Sequence, residues 1–163
     1  MKKLSLLAGA LLACFMQVNA QDFVSTAPAN RNVIIEEFTG RNCGYCPDGH
    51  KIANQICHNN PGRVWAVNVH AGGYAPTSYP NFNTPESNTI LNGFNVSGFP
   101  SGAVNRSDYT ALNRGQWASV AAQQMGQVAE CNVAGQAVIN PATRMAKITV
   151  EVYYTGNSEE ANN

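Results

Sequence analysis

The sequence reads VIIEEF at residues 33–38 and CGYC at residues 43–46. The first stretch is β-branched and apolar, which predicts a buried strand, and the residues between the two stretches predict a turn. A helix is predicted over residues 47–58, because Asn59-Asn60-Pro61-Gly62 is a strong stop signal after it. A strand, a turn, a cysteine pair and a helix therefore follow one another without interruption.

The cysteine pair has the spacing of a redox-active dithiol. Cys43 falls at or near the predicted helix N-terminus, where partial positive charge favours the thiolate. The thiolate is the attacking species in disulfide exchange. We therefore expect Cys43 to be the nucleophile and Cys46 the resolving thiol, with Tyr45 between them as a candidate for substrate contact and for tuning the redox potential.

Pro47 disturbs this picture, because it directly follows Cys46 and has no N–H to donate. A proline also discourages helical geometry at the residue before it. The sequence therefore predicts that the helix begins nearer Pro47, or begins irregularly.

Two further interpretations of the cysteines stay open. Zinc would need ligands such as Cys43, Cys46, His50 and Cys57, but their spacing is untidy for a structural site, so we expect neither metal nor cofactor. Cys57 and Cys131 form a second, structural disulfide or remain two separate thiols.

The rest of the chain predicts further strands and helices. Residues 64–69 are typical of an interior strand of a parallel sheet. Residues 70–86 form a long irregular loop, whose aromatic residues Tyr74, Tyr79 and Phe82 either bind peptide or pack on the loop itself. The remaining predictions are a helix over 87–94, a strand over 103–105, a helix over 115–129 and strands over 132–139 and 144–154.

Residues 1–20 are typical of a secretory signal peptide: Lys2-Lys3, then an uncharged apolar run, then a small-residue cleavage pattern ending at Ala20. In the alternative, Leu11-Leu12-Ala13-Cys14 is a lipobox and Cys14 is acylated, which would anchor the protein. We therefore expect export to the periplasm or the outer membrane.

Composition excludes one class of partner. The chain has 10 basic and 10 acidic residues, and loss of residues 1–20 removes only Lys2 and Lys3, leaving a net charge of −2. No basic cluster remains, so nucleic acid is not an expected partner.

Two motifs resemble thioredoxin-like proteins. Glu37 and Phe38 stand six and five positions before Cys43, where that family has a buried acid and an aromatic residue. The resemblance implies that Glu37 moves a proton at the resolving cysteine. Residues 96–101, VSGFPS, resemble the family's cis-proline loop, which implies that Pro100 packs beside the dithiol and that the backbone at Phe99 pairs with substrate.

A narrower resemblance links EEFTG at 36–40, CGYCPDGH at 43–50 and GFP at 98–100 to the Omp-twenty-eight-related outer-membrane proteins of Bacteroidetes-type bacteria. It implies a surface or outer-membrane location, often with a lipid anchor. The expected fold is an α/β thioredoxin-like three-layer sandwich over 31–131, followed by the start of a β-rich domain over 132–163, which we expect to be truncated.

Two functional hypotheses follow. The first is an exported thiol–disulfide oxidoreductase that acts on the thiols or disulfides of cell-envelope proteins. The second is a surface binding or adhesion protein on a thioredoxin scaffold, in which the cysteine pair is an inert structural disulfide. Fold does not decide between them.

Overall fold

The computed structural model describes residues 23–156, and the expected signal peptide, Cys14 and residues 157–163 lie outside that range. Six strands and three α-helices follow one another along the described chain. The strands are β1 (Val33–Thr39), β2 (Val64–His70), β3 (Ser101–Val104), β4 (Leu112–Asn113), β5 (Cys131–Asn140) and β6 (Met145–Tyr154). The helices are α1 (Cys46–Asn59), α2 (Pro85–Asn92) and α3 (Trp117–Met125), with 3₁₀ turns at Gly72–Tyr74 and Arg114–Gln116.

Four of the strands form one mixed sheet in the order β2-β1-β3-β4. β1 pairs in parallel with β2 and antiparallel with β3, which in turn pairs antiparallel with β4. The chain is therefore a mixed α/β domain, consistent with a thioredoxin-like fold. The strand β1, whose carboxyl end leads to the cysteine pair, lies in the interior of this sheet.

Alternation along β1 divides the core between the two faces of the sheet. Val33 and Ile35 belong to one buried cluster with α1 and α3, in which Trp117 is the largest side chain. Phe38 points to the other face and belongs to a second cluster, against which α2 packs. Burial of these apolar side chains is the main contribution that holds the helices on the sheet.

The helix that follows the cysteine pair begins one residue before Pro47. Cys46 is the first residue of α1 and Tyr45 is its N-cap. A proline in the first turn loses nothing, because the N–H groups at these positions have no partner within a helix. The prediction that the helix begins nearer Pro47 than Cys43 is therefore confirmed.

The position of β2 differs from the prediction. It pairs in parallel as expected, but it is the edge strand of the sheet as described. On the sheet face opposite Val33, three apolar side chains are exposed: Ile34, Trp65 and Val67. Ile34 pairs with Trp65 in the β1–β2 register, and Val67 lies two residues further along β2. An apolar strand sequence predicts burial on both faces, and in residues 23–156 one of the two faces is open here.

β5 and β6 form a separate antiparallel ribbon with a continuous register from Cys131–Tyr154 to Asn140–Met145. Apolar side chains are exposed on it, including Val138, Ile148 and Val150. None of the helices within residues 23–156 is long and apolar enough to cross a bilayer.

Candidate active site

Cys43 and Cys46 are joined by a disulfide at the start of α1, with their Cα atoms 5.4 Å apart. The turn after β1 brings them together, and the Cys43 N–H donates to the Gly40 carbonyl over 3.0 Å. Cys43 is 7% exposed and Cys46 is buried, whereas Tyr45 between them is 74% exposed. The pair therefore lies just beneath the surface, under an exposed tyrosine.

Gly49 brings Pro100 and Glu37 to the first turn of α1. A Cβ at Gly49 would lie 2.8 Å from Pro100 Cβ and 2.5 Å from Glu37 Oε1, so the absence of a side chain makes room for both. The Phe99–Pro100 peptide bond is cis. Two residues that the sequence motifs single out, far apart along the chain, thus meet one helical turn from Cys46.

Glu37 is fully buried and binds His50, which the sequence places on a helix face near the site but to which it gives no part in the exchange. His50 Nδ1 lies 2.9 Å from Glu37 Oε2. Burial raises the pKa of the Glu37 carboxyl above its ordinary value, and the hydrogen bond and the charge of His50 oppose that rise. The available signal was spacing, since residues four apart share a helix face and His50 follows Cys46 by four.

A pH effect on stability follows from Glu37. Its pKa is raised in the folded protein, so the folded state binds more protons than the unfolded state above the ordinary carboxyl pKa. We therefore expect the free energy of unfolding to fall as pH rises through the interval between the ordinary and the raised pKa. Glu37→Gln, which stays neutral, removes that fall. Urea unfolding at a series of pH values from the carboxyl range to neutral measures the fall in the free energy of unfolding. Glu86→Gln, at an exposed position, is the control. Parallel profiles for Glu37→Gln and wild type would contradict the expectation.

His70, at the end of β2, lies near this pair. Burial and the charge of His50 both lower the pKa of His70. Its ring centroid is 5.2 Å from that of Phe82 in the long loop. Phe82 therefore contacts the chain beside the site while it stays 55% exposed.

The loop after β2 covers the turn before Cys43. The Asn42 N–H donates to the Tyr74 carbonyl over 2.9 Å, and the Tyr74 ring packs on Phe99 with centroids 5.5 Å apart. Arg41 donates to Ser78 and to the Pro80 carbonyl. Tyr79 remains exposed. All three aromatic residues of the loop thus present surface to solvent: Tyr74 and Phe82 contact residues beside the site and are 50% and 55% exposed, and Tyr79 is 95% exposed.

A small cleft of about 290 Å³ is lined by the cis-proline loop and by residues around Arg114. Arg114 Nε donates to Asp48 Oδ2 over 2.6 Å, which ties the start of the α3 segment to the first turn of α1. A larger cavity of about 1170 Å³ lies elsewhere, between the β1 face at Ile34 and the beginning of β5. The cleft beside Pro100 is the one that adjoins the disulfide's helix.

Comparison with known proteins gives a fold but no family. No family model matches the sequence, and no curated protein matches it. The chain shares its fold with HBP35 of Porphyromonas gingivalis. The match has a TM-score of 0.57 at 18% identity and covers 77% of this chain and 44% of HBP35. This chain therefore spans less than half the length of HBP35. Protein AGR_C_4864 from Agrobacterium tumefaciens also matches, with a TM-score of 0.48 at 10% identity over 79% of this chain and 81% of that one.

The remaining cysteines do not form the second disulfide that was one of the two expectations. Cys57 and Cys131 are free thiols within the described residues. Cys57 packs from α1 against the Val33 cluster, whereas Cys131 starts β5 opposite Tyr154, so the two belong to different parts of the fold. The zinc site considered from the sequence would need Cys43 and Cys46 as ligands, and the two are bonded to each other. Within residues 23–156 there is no group of three or more Cys, His, Asp or Glu arranged for a metal.

Proposed function

We propose that this protein is a thiol–disulfide oxidoreductase for exported proteins. The observation that carries the proposal is the meeting of three features at one turn of α1: the Cys43–Cys46 disulfide, the cis Phe99–Pro100 bond and the buried Glu37. The likeness to HBP35 supports the fold on which this arrangement rests.

In the reduced protein, the Cys43 thiolate attacks one sulfur of a substrate disulfide. The substrate S–S bond breaks, a mixed disulfide with Cys43 forms, and the first substrate thiolate leaves. The Cys46 thiolate then attacks Cys43 Sγ, so the second substrate thiolate leaves and the protein disulfide forms. The substrate gains two electrons and the protein loses two, and the reverse sequence oxidises a substrate dithiol.

Substrate recognition is proposed at the cis-proline loop. An extended segment of the substrate would pair with the backbone at Phe99 and lie in the cleft beside Pro100, in contact with exposed Tyr45. Its cysteine would then approach the edge of Cys43 that reaches the surface. A cleft of this kind selects an exposed, unfolded segment rather than a folded surface.

The finer assignments belong to the same proposal. Four of them rest on sequence motifs alone. They are membership of the Omp-twenty-eight-related family, the three-layer sandwich over 31–131, the β-rich start over 132–163, and export to the periplasm or outer membrane with or without acylation at Cys14. Envelope proteins with cysteines are the partners that such a location would supply.

A surface-binding protein with a structural disulfide is the second candidate. The observation that favours it is the low exposure of Cys43, 7%, since a nucleophile must be reached by its substrate. A structural bridge and a catalytic one differ in reduction potential and in whether they form mixed disulfides.

The reduction potential of the pair and its ability to form a mixed disulfide decide between these candidates. We expect Cys43–Cys46 to equilibrate with glutathione at a potential above about −300 mV, below which structural disulfides lie. We also expect the reduced Cys46→Ser protein, mixed with insulin, to accumulate a mixed disulfide, because Cys43 attacks an insulin disulfide and releases one insulin thiolate. Non-reducing gels and peptide mass spectrometry detect this species. Cys131→Ser is the matched control, which keeps both active-site cysteines and should accumulate none. A potential below that limit together with no mixed disulfide would establish the structural candidate instead.

A further inference from the structure

The two oxygens of the Glu37 carboxylate have different surroundings. Oε2 lies 2.9 Å from His50 Nδ1. Oε1 is buried and has no hydrogen-bond partner among the described residues. A buried carboxylate oxygen without a partner is costly, so its position calls for an explanation in terms of function.

Oε1 is directed at the turn of α1 that begins with Cys46. A Cβ on Gly49 would lie 2.5 Å from Oε1, which places this oxygen against the helix backbone at Gly49. Cys46 and Gly49 are both buried members of the same face of α1, three residues apart. Residues at this spacing are neighbours on a helix surface. The partnerless oxygen therefore faces the helical turn that carries the resolving thiol.

His50 is held in place from two sides. Its Nδ1 contacts Glu37, and its Nε2 lies 3.5 Å from the hydroxyl of Thr39, which is buried at the end of β1. The His50 side chain is 33% exposed, so one edge of the ring reaches solvent while the other meets the carboxylate. When Glu37 is ionised, Nδ1–H donates to Oε2, because a carboxylate only accepts.

We infer that His50 is a positioning residue for the exchange reaction, one that occupies Oε2 of Glu37 and thereby leaves Oε1 as the oxygen that accepts the proton of the Cys46 thiol. The inference rests on the proposed function and adds to it a residue that the sequence motifs did not assign. In this step the Cys46 S–H proton moves to Oε1. The resulting thiolate attacks Cys43 Sγ of the mixed disulfide, and the departing substrate thiolate is protonated by solvent.

The charged and titratable groups around His50 fit this role. Glu37 faces it from β1 and His70 interacts with it from β2. On α1 itself, Asp48 is paired with Arg114. Loss of the His50 donor would raise the pKa of Glu37 further, because the hydrogen bond and charge of His50 hold it down. Resolution by Cys46 would then require a higher pH.

Two substitutions of similar size separate the donor from the rest of the side chain. Asn in place of His50 keeps an N–H close to the position of Nδ1, whereas Leu removes it. The reduced full-length protein is mixed with glutathione disulfide, quenched with acid at intervals and analysed by peptide mass spectrometry. This measurement follows formation of the Cys43–glutathione mixed disulfide and its conversion to Cys43–Cys46 separately, at a series of pH values.

We expect His50→Leu to slow the conversion at least about tenfold at neutral pH, which is less than the roughly 100-fold or more that proton transfer itself contributes, because His50 positions the acceptor and does not accept the proton. The acid limb of the pH profile for this conversion should move to higher pH, while the rate of mixed-disulfide formation stays within about twofold of wild type. His50→Asn should convert within about threefold of the wild-type rate. Circular dichroism before the reaction verifies that both variants are folded.

The outcomes are distinct. Conversion at the wild-type rate in His50→Leu, or equal slowing in both variants, would overturn the positioning role and leave the proposed function intact. If the wild-type mixed disulfide never converts to Cys43–Cys46, the proposed function itself fails, and the inference fails with it.

Discussion

Replacement of Trp117 by alanine is expected to lower the free energy of unfolding by about 3–5 kcal/mol, the usual cost of removing a buried aromatic side chain. Trp117 is 0% exposed and is the largest side chain of the cluster that joins α3 to β1 and β3. Its Nε1–H also donates to the Leu112 carbonyl over 3.2 Å. The substitution therefore leaves both a cavity and a carbonyl without its donor.

Trp65→Ala is the matched control for this prediction. Trp65 lies on the open face of β2 and is 48% exposed, so its removal should cost about 1 kcal/mol, in proportion to the smaller apolar area that it buries. Urea unfolding of the oxidised proteins, followed by far-ultraviolet circular dichroism, gives both values. Equal losses for the two variants would show that Trp117 does not occupy the core position described above.

Replacement of Gly49 by alanine is expected to damage both stability and exchange. The new Cβ would lie 2.5 Å from Glu37 Oε1 and 2.9 Å from Pro100 Cγ, so the helix, the buried acid or the proline loop must move. Such overpacking costs about 1–3 kcal/mol. A displacement of about 1 Å between catalytic groups can cost about 100-fold in rate, and we expect a loss of that order in insulin reduction.

Gly73→Ala is the control for Gly49, because a Cβ there meets no atom of the described residues within 4 Å. It should leave the free energy of unfolding within about 0.5 kcal/mol of wild type. Insulin reduction is measured with each variant at a temperature where circular dichroism shows it to be folded. A Gly49→Ala protein with wild-type stability and rate would mean that Glu37 and Pro100 do not meet at this turn.

Much of the local structure could be predicted because it depends on short-range patterns. The β-branched run at 33–38 is a strand, and α1 ends at Asn59, the first residue of the predicted stop signal. α3 is shorter than predicted, since it ends at Met125 and Gly126 caps it, although the apolar pattern continues to Val128. A periodic pattern reports which residues are apolar, while the end of a helix depends on where its backbone finds other partners.

The main error, the interior position predicted for β2, arose where neighbouring strands decide the outcome, and two further features depend on neighbours in the same way. An apolar strand such as β2 looks the same in sequence whether it is interior or at an edge, because its own residues do not specify how many strands lie beside it. Pro47 is compatible with α1 because its place relative to the helix start decides its effect. The state of Cys57 and Cys131 likewise depends on how α1 and β5 lie relative to each other, which cysteine spacing does not reveal.

The candidate site shows the same division. The spacing of Cys43 and Cys46 was enough to single out the dithiol, and the resemblance of two short motifs to thioredoxin-like proteins added Glu37 and Pro100. The role of Gly49 and the contact between His50 and Glu37 emerged only from the folded chain. Those contacts join residues of β1, α1 and the loop before β3, and only the packing of α1 on the sheet sets the distances between them.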